Sequence, residues 1–369
     1  MNKKRDRYLS MGIVMGTIAL LANTGYGIDV TPGDDLRSIV HGATSGETIN
    51  LAPGTYTVTK QMNVSADITI KGAGKFKTFI YNTGGPEVFR IRSSNVTVRD
   101  LCIDATDCQM GIRIKPSSRN LTVTDVCIRN AISYGIVSSI GWPTHGLEVT
   151  GCTFNNNGFV QILMYNRNDD TRDHQTESVD KMTFEGNVFK GSLRLRDLIS
   201  DSGNDEDQVG TSHNQSLIKD NDFLKGGKWQ YGTSEGKGFV LTGNNFYGPG
   251  ENAQTYRHTI HTEQWYDNST FTGNFIENST GIGGLHHLSD GDEEGDIGAR
   301  NVNFINNIYS TGGKTLSNGI FGNNVRNCTW DGNDFTDVLV SNFKVIFWQG
   351  SGDNDYVNNV GLNGSVREN

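Results

Sequence analysis

Apolar and polar residues alternate along most of this chain in runs of only three to five. A period of two puts successive side chains on opposite faces of a strand, and runs this short leave no room for a helical stripe. Gly, Asn or Asp separates the runs, residues that accept a left-handed backbone, so each strand is expected to end in a tight bend with positive φ. The pattern recurs as one sentence. Asn95-Val-Thr-Val-Arg-Asp-Leu-Cys-Ile103 is nearly repeated by Asn120-Leu-Thr-Val-Thr-Asp-Val-Cys-Ile128. Further copies follow at 146–154, 181–189, 216–223, 239–246, 269–276, 302–309 and 328–335, nine in all.

A third short strand precedes most copies: Gly111–Lys115, Gly135–Ser139, Gln161–Tyr165 and Ser192–Arg196. Three strands to a repeat make a coil. A single coil cannot bury its inner face, but stacked coils pair every backbone ladder with the rungs above and below and enclose one apolar column. The expected architecture is therefore all-β, a single-stranded parallel β-helix of about ten or eleven rungs rising ~4.8 Å per rung. Ladders of inward Val, Ile and Phe are expected, with Cys102, Cys127 and Cys152 as one of them and the Asn-rich bends stacking as hydrogen-bonded ladders. Residues 33–45 read as a short helix capping the N-terminal end. A β-sandwich of short strands would not repeat one sentence nine times.

Composition narrows the class. With 46 Gly, 6 Pro and 20% charged residues in 369, the chain is neither collagen-like nor a coiled coil nor a helical bundle. Residues 1–27 run from Lys3-Lys4-Arg5 through an apolar stretch at Met11–Ala22 to small residues near Gly27. That is the order of a secretory signal peptide, leaving 28–369 as one secreted or periplasmic domain with no membrane span after processing. Five cysteines, an odd number without zinc-site spacing, read as small core residues. A net charge of −9 and the lack of any basic run beyond the leader argue against a nucleic-acid partner.

On these repeats, and on Leu51-Ala-Pro-Gly-Thr-Tyr56 as an opening rung, the chain over about 30–360 resembles the right-handed parallel β-helix proteins. It is most similar to the secreted polysaccharide lyases of the pectate lyase, chondroitinase B and alginate lyase kind. The resemblance implies a monomeric enzyme acting on an acidic polysaccharide. It brings no catalytic motif with it: the Asp-Asp and Gly-His-Gly pairing of polygalacturonases is missing, and so is an extended match to the metal-binding strands of the chondroitinase B group.

Loop length locates the working face. The anchors Val98, Val123, Val149, Phe184, Ile218, Leu241, Phe271, Phe304 and Trp330 lie 25, 26, 35, 34, 23, 30, 33 and 26 residues apart, so the excess falls in the middle rungs and residues 161–300 should carry a groove. Alternation along the third strands points Arg113, Lys115, Tyr165, Arg194, Arg196 and His261 outward, with Lys228 on the rung before His261 and His286 or His287 on the one after. A basic stripe on an acidic protein suits an anionic polymer. Cleaving a uronate polymer by β-elimination requires neutralising a carboxylate, removing the C5 proton and protonating the leaving oxygen. The expected roles are Arg194 and Arg196 on the carboxylate, Lys228 or His261 as base, and Tyr165 or His286 as acid. Asp290, Asp292 and Asp296 are spaced as oxygen ligands for Ca²⁺ or another divalent cation, though solvated acidic turns look the same. Four of the eight histidines, His258, His261, His286 and His287, crowd into two rungs. Competing readings are a glycoside hydrolase with a carboxylate pair such as Asp197 or Asp201 with Glu263, a C5 epimerase, and a non-catalytic surface-binding β-helix protein.

Overall fold

The structure, a computed structural model, describes residues 27–116, 118–138, 145–164, 179–190, 193–195, 213–224, 226, 230–249, 258–288, 299–348, 351–362 and 365–368. It is a parallel β-helix. Each full turn contributes one strand to each of three sheets, as in Thr97–Arg99, Cys102–Asp104 and Met110–Ile114. The first sheet has thirteen strands, from Gly27–Val30 to Asp355–Val357, and the second has eleven. The third follows a path of twelve strands from Met62–Val64 to Val366–Glu368, with three short strands beside it. The eleven strands of the second sheet match the expected ten or eleven rungs, and the first sheet extends past the nine repeated copies with Gly27–Val30, Thr48–Leu51 and Thr69–Lys71 at one end and Asp355–Val357 at the other.

The bends are built as the residue types require. Each copy has two left-handed residues five positions apart: Asn95 and Asp100, Asn120 and Asp125, Gly146 and Gly151, and so on to Asn327 and Gly332. Lys181 and Gln215 take the same place at φ 58°, against the usual preference. The nine anchors form one inward column of the first sheet in unbroken register. In the second sheet Phe154, Phe189, Phe223 and Phe246 stack face to face, with centroids 5.0, 5.0 and 4.5 Å apart.

The corner between these two sheets changes character along the helix. Leu101 and Val126 fill it in two N-terminal rungs, and Cys152 follows. From there on every rung places an Asn in the corner: Asn187, Asn221, Asn244, Asn274, Asn307, Asn333 and Asn359. Each Oδ1 accepts both the backbone N–H and the Nδ2–H of the Asn before it, as Asn274 does from Asn244 at 3.0 and 2.9 Å. The second Nδ2 hydrogen goes to a first-sheet carbonyl of the preceding rung, such as Ile218 O for Asn244. A fully paired amide column can be buried without the cost of an orphaned polar group.

The expected cysteine ladder is corrected here. Cys102 and Cys127 are register partners, but they lie on the side of the strand away from Ile103 and Ile128, which face the core. The next rung is 26 residues long, so Thr153 pairs with Cys127 and Cys152 drops into the corner, its Sγ 3.4 Å from the Val126 nitrogen. All five cysteines are buried and free; Cys108, Cys152 and Cys328 belong to the apolar core, and Cys102 and Cys127 do not.

The expected cap is present as the helix Leu36–Gly42. Asp35 caps it by accepting the Ser38 N–H at 3.0 Å, and Leu36 and Val40 cover the first rungs. Tyr56 of the opening rung is buried, its hydroxyl donating to Val30 O and Ala52 O. Among the described residues no helix is long and apolar enough to cross a membrane; of the segment 1–27 expected to be a signal peptide, all but Gly27 lies outside them.

Candidate active-site face

The third sheet carries the candidate chemistry, and its register arranges the outward positions into one column. Asn63, Arg90, Arg113, Val137, Leu163, Arg194, Gly232, His261, His287, Phe321 and Ile346 occupy it in succession. The inward column beside it runs Phe89, Ile112, Ile136, Ile162, Leu193, Tyr231, Ile260, His286 and Ile320. Arg194 and His261 therefore share the column expected of them, separated by Gly232. Arg194 is located by backbone register alone. Tyr165, Arg196, Lys228, Asp290, Asp292 and Asp296 lie outside the described residues, as do Asp197 and Asp201.

His286 is corrected by the same register. It pairs with Ile260 and Ile320, both core residues, so its ring points inward, packed 5.2 Å from Phe271 and 5.7 Å from Phe304. Burial, with His287 and His261 nearby, holds it well below the usual imidazole range, which leaves it a neutral core ring and unsuited to donate a proton to a substrate. The outward partner of His261 is His287, one residue on. Gln230 is also buried, its amide tied to Leu224 O and the Gly248 N–H.

His258 joins this pair through a bend at the entrance to the sheet. On several of the described rungs two consecutive residues are buried there, for example Val88 and Phe89, Gln161 and Ile162, or Thr259 and Ile260. Residues three apart consequently meet on the outer side. Glu87 and Arg90 make an ion pair, Val160 and Leu163 an apolar contact, and His258 and His261 a stacked pair with centroids 5.5 Å apart. Two rungs carry glycine at this bend, Gly111 and Gly135, where a Cβ would lie 2.7 Å from Gly135 O and 2.5 Å from Gln161 O, respectively.

Three imidazoles thus converge. His261 Nδ1 and His287 Nδ1 are 3.1 Å apart, and the ring nitrogens available on His258, His261 and His287 all lie within 4.8 Å of one another. All three are nearly buried, at 2%, 6% and 7% exposure. Phe321 closes one side, stacked on His287 at 4.6 Å and edge-on to His258 at 5.0 Å. Alternation alone would send His258 inward with Ile260; the signal that finds it is the i, i+3 recurrence set by the bend.

Cations gather at the N-terminal end of the same face. Arg90, Arg92, Arg113 and Lys115 sit on two neighbouring rungs, and burial together with the guanidinia of Arg113, Arg90 and Arg92 pushes Lys115 below the ordinary lysine range. The stripe is not continuous, however. Val137 and Leu163 interrupt it, buried with Val160 and flanked by Met110 and Tyr134. From Arg113 to His261 is five rungs, ~24 Å.

The comparisons agree on architecture. A family model described as "Right handed beta helix region" matches residues 20–189. No curated protein sequence matches the chain. Among solved structures it is similar to the surface protein and adhesin PfbA of Streptococcus pneumoniae, at 12% identity over 94% of this chain and 100% of that one, TM-score 0.65. It is similar also to the catalytic unit of a thermostable GH87 alpha-1,3-glucanase from Streptomyces thermodiastaticus strain HF3-3, at 12% identity over 92% and 69%, TM-score 0.61. A third is a mannuronic acid specific polysaccharide family 6 lyase from human gut microbiota, at 13% identity over 92% and 85%, TM-score 0.53. Two enzymes and an adhesin on one scaffold leave function to be argued from the site; what sequence, coordinates and comparisons jointly establish is that this chain is a right-handed parallel β-helix.

Proposed function

We propose that the protein is an exported polysaccharide lyase that cleaves a uronate-containing polymer by β-elimination, working as a monomer on the outer face of its third sheet. The observation that carries this reading is a single register column that leads from Arg90 and Arg113 through Arg194 to the paired imidazoles His261 and His287. Cationic positions attract and hold an anionic chain, and local positive charge on a protein of net charge −9 marks where it would lie. Arg194 neutralises the uronate carboxylate, which acidifies the C5 proton. His261 removes that proton, with His287 at 3.1 Å to share it. The electrons of the C5–H bond form the C4–C5 double bond, the C4–O bond breaks, and Tyr165 protonates the departing oxygen. Arg196 and Lys228 remain assigned to the same face, on the carboxylate and as an alternative base.

Alginate is the polymer to test first, in keeping with the mannuronic acid specificity named for the similar family 6 lyase. The purified protein is mixed with alginate, pectate and glycosaminoglycans while near-ultraviolet absorbance is followed. An unsaturated product with one of them is the expected result. New reducing ends without absorbance would make the protein a hydrolase, altered uronate composition without cleavage an epimerase, and binding without any of these a surface-binding protein.

A further inference from the structure

The three outward imidazoles have a second chemistry. We propose that His258, His261 and His287 form a binding site for a borderline transition-metal ion of the zinc class. Two ring nitrogens that face each other at 3.1 Å, as the Nδ1 atoms of His261 and His287 do, must share either a proton or a metal ion. Zinc–imidazole bonds of about 2.0–2.1 Å at the tetrahedral angle separate two ligand nitrogens by roughly 3.3 Å, close to the spacing already present. The third ring, His258, is held against both partners, with centroids 5.5 and 5.0 Å away, and its available nitrogen lies within the same 4.8 Å set.

The scaffold fixes these donors well. His261 and His287 are adjacent rungs in register, and Thr262 Oγ1 donates to the His287 carbonyl at 3.1 Å. The bend ahead of Ile260 brings His258 round to the outer side, and the Phe321 ring walls the group on one flank. Among the described residues this is the one group of three or more His, Cys, Asp or Glu able to close on an ion. An all-imidazole set selects zinc, copper, nickel or cobalt, whereas Ca²⁺ and Mg²⁺ require oxygen ligands. The site is thus different in kind from the acidic loop Asp290, Asp292 and Asp296.

An ion here takes the His261 lone pair, so under the lyase reading it inhibits; that consequence rests on the proposed function, while the binding itself does not. The test uses the full processed chain, stripped with a chelator and titrated with Zn²⁺ or Co²⁺ alone. One ion per chain by elemental analysis is expected, along with a tetrahedral Co²⁺ visible spectrum and a zinc-dependent rise in melting temperature. His258→Gln and His287→Gln should each weaken binding by at least the about 100-fold that loss of a mere outer-shell partner can cost. His286→Leu, at the inward ring, should leave it intact. Stoichiometry well below one, or Gln variants that melt like the parent and bind as tightly, would overturn the proposal. Binding without cleavage of any acidic polymer would remove the lyase reading and leave the metal site standing. Cleavage without binding would do the reverse.

Discussion

Two columns of this molecule, one at an inner corner and one on an outer face, are built by opposite rules. The corner repeats one residue over seven rungs, from Asn187 to Asn359, and each copy makes the same bonds as the last. The outward column of the third sheet repeats almost nothing: Arg, Arg, Val, Leu, Arg, Gly, His, His, Phe. Stacking rewards sameness, because identical rungs satisfy one another, whereas an extended substrate is met by different groups at different heights. Uniformity therefore marks the scaffold and heterogeneity marks the surface where chemistry can be placed.

Substitutions should separate the two columns. The largest effect on stability is expected from Asn274→Leu, which leaves the Asn244 backbone N–H and Nδ2 without their acceptor. Two buried orphaned donors cost about 2–6 kcal/mol, readable as a lower urea midpoint, while specific activity of the folded fraction stays unchanged. His261→Gln should do the converse. Turnover on the responsive polymer falls by about 10²–10⁴, the usual contribution of a positioned general base, with the melting curve nearly superimposable on the parent. A stability loss there as large as that of Asn274→Leu would erase the distinction between the columns.

Smaller effects sharpen the boundary. His286→Leu replaces a buried imidazole, whose Nδ1 has no hydrogen-bond partner, by an apolar side chain between Ile260 and Ile320. It should raise stability by about 1 kcal/mol and leave activity within about twofold, the opposite of the neighbouring His287. Cys152→Asn extends the amide column upward by one rung. Cys152 N–H already donates to Asn187 Oδ1 at 2.9 Å, and its Sγ already meets the Val126 nitrogen and Val123 O. An amide finds all its partners in place, so the change should fall within about 1 kcal/mol of neutral. A marked loss would mean that the corner needs more than matching partners.

The coil, its three strands and its bends were legible because a stacked fold must restate its local rules on every rung. The nine anchors predict the inward column of the first sheet without error, from Val98 to Trp330. What failed did so where a rung departs from its neighbours by one residue. Equal spacing of 25 suggested that Cys152 continues the line of Cys102 and Cys127, but the intervening turn holds 26 residues in register and shifts it into the corner. The same parity decides His286 against His287, since one position exchanges the core for the surface. Alternation does not reveal His258, because two consecutive residues turn inward at the bend, and charge alone does not reveal the apolar patch of Val137 and Leu163 between Arg113 and Arg194.

The amide column also bears on how such a chain can change length. Every Asn in it hands the next rung the same pair of donors that it received, so the seam between any two neighbours is chemically equivalent. Duplicating or excising one whole turn between Asn187 and Asn359 would rejoin matching ends, while a partial turn would not. Kin of this protein are accordingly expected to differ by integral coils, gained or lost beyond the rungs that carry Arg194, His261 and His287, toward Asn359, where the candidate face is left whole.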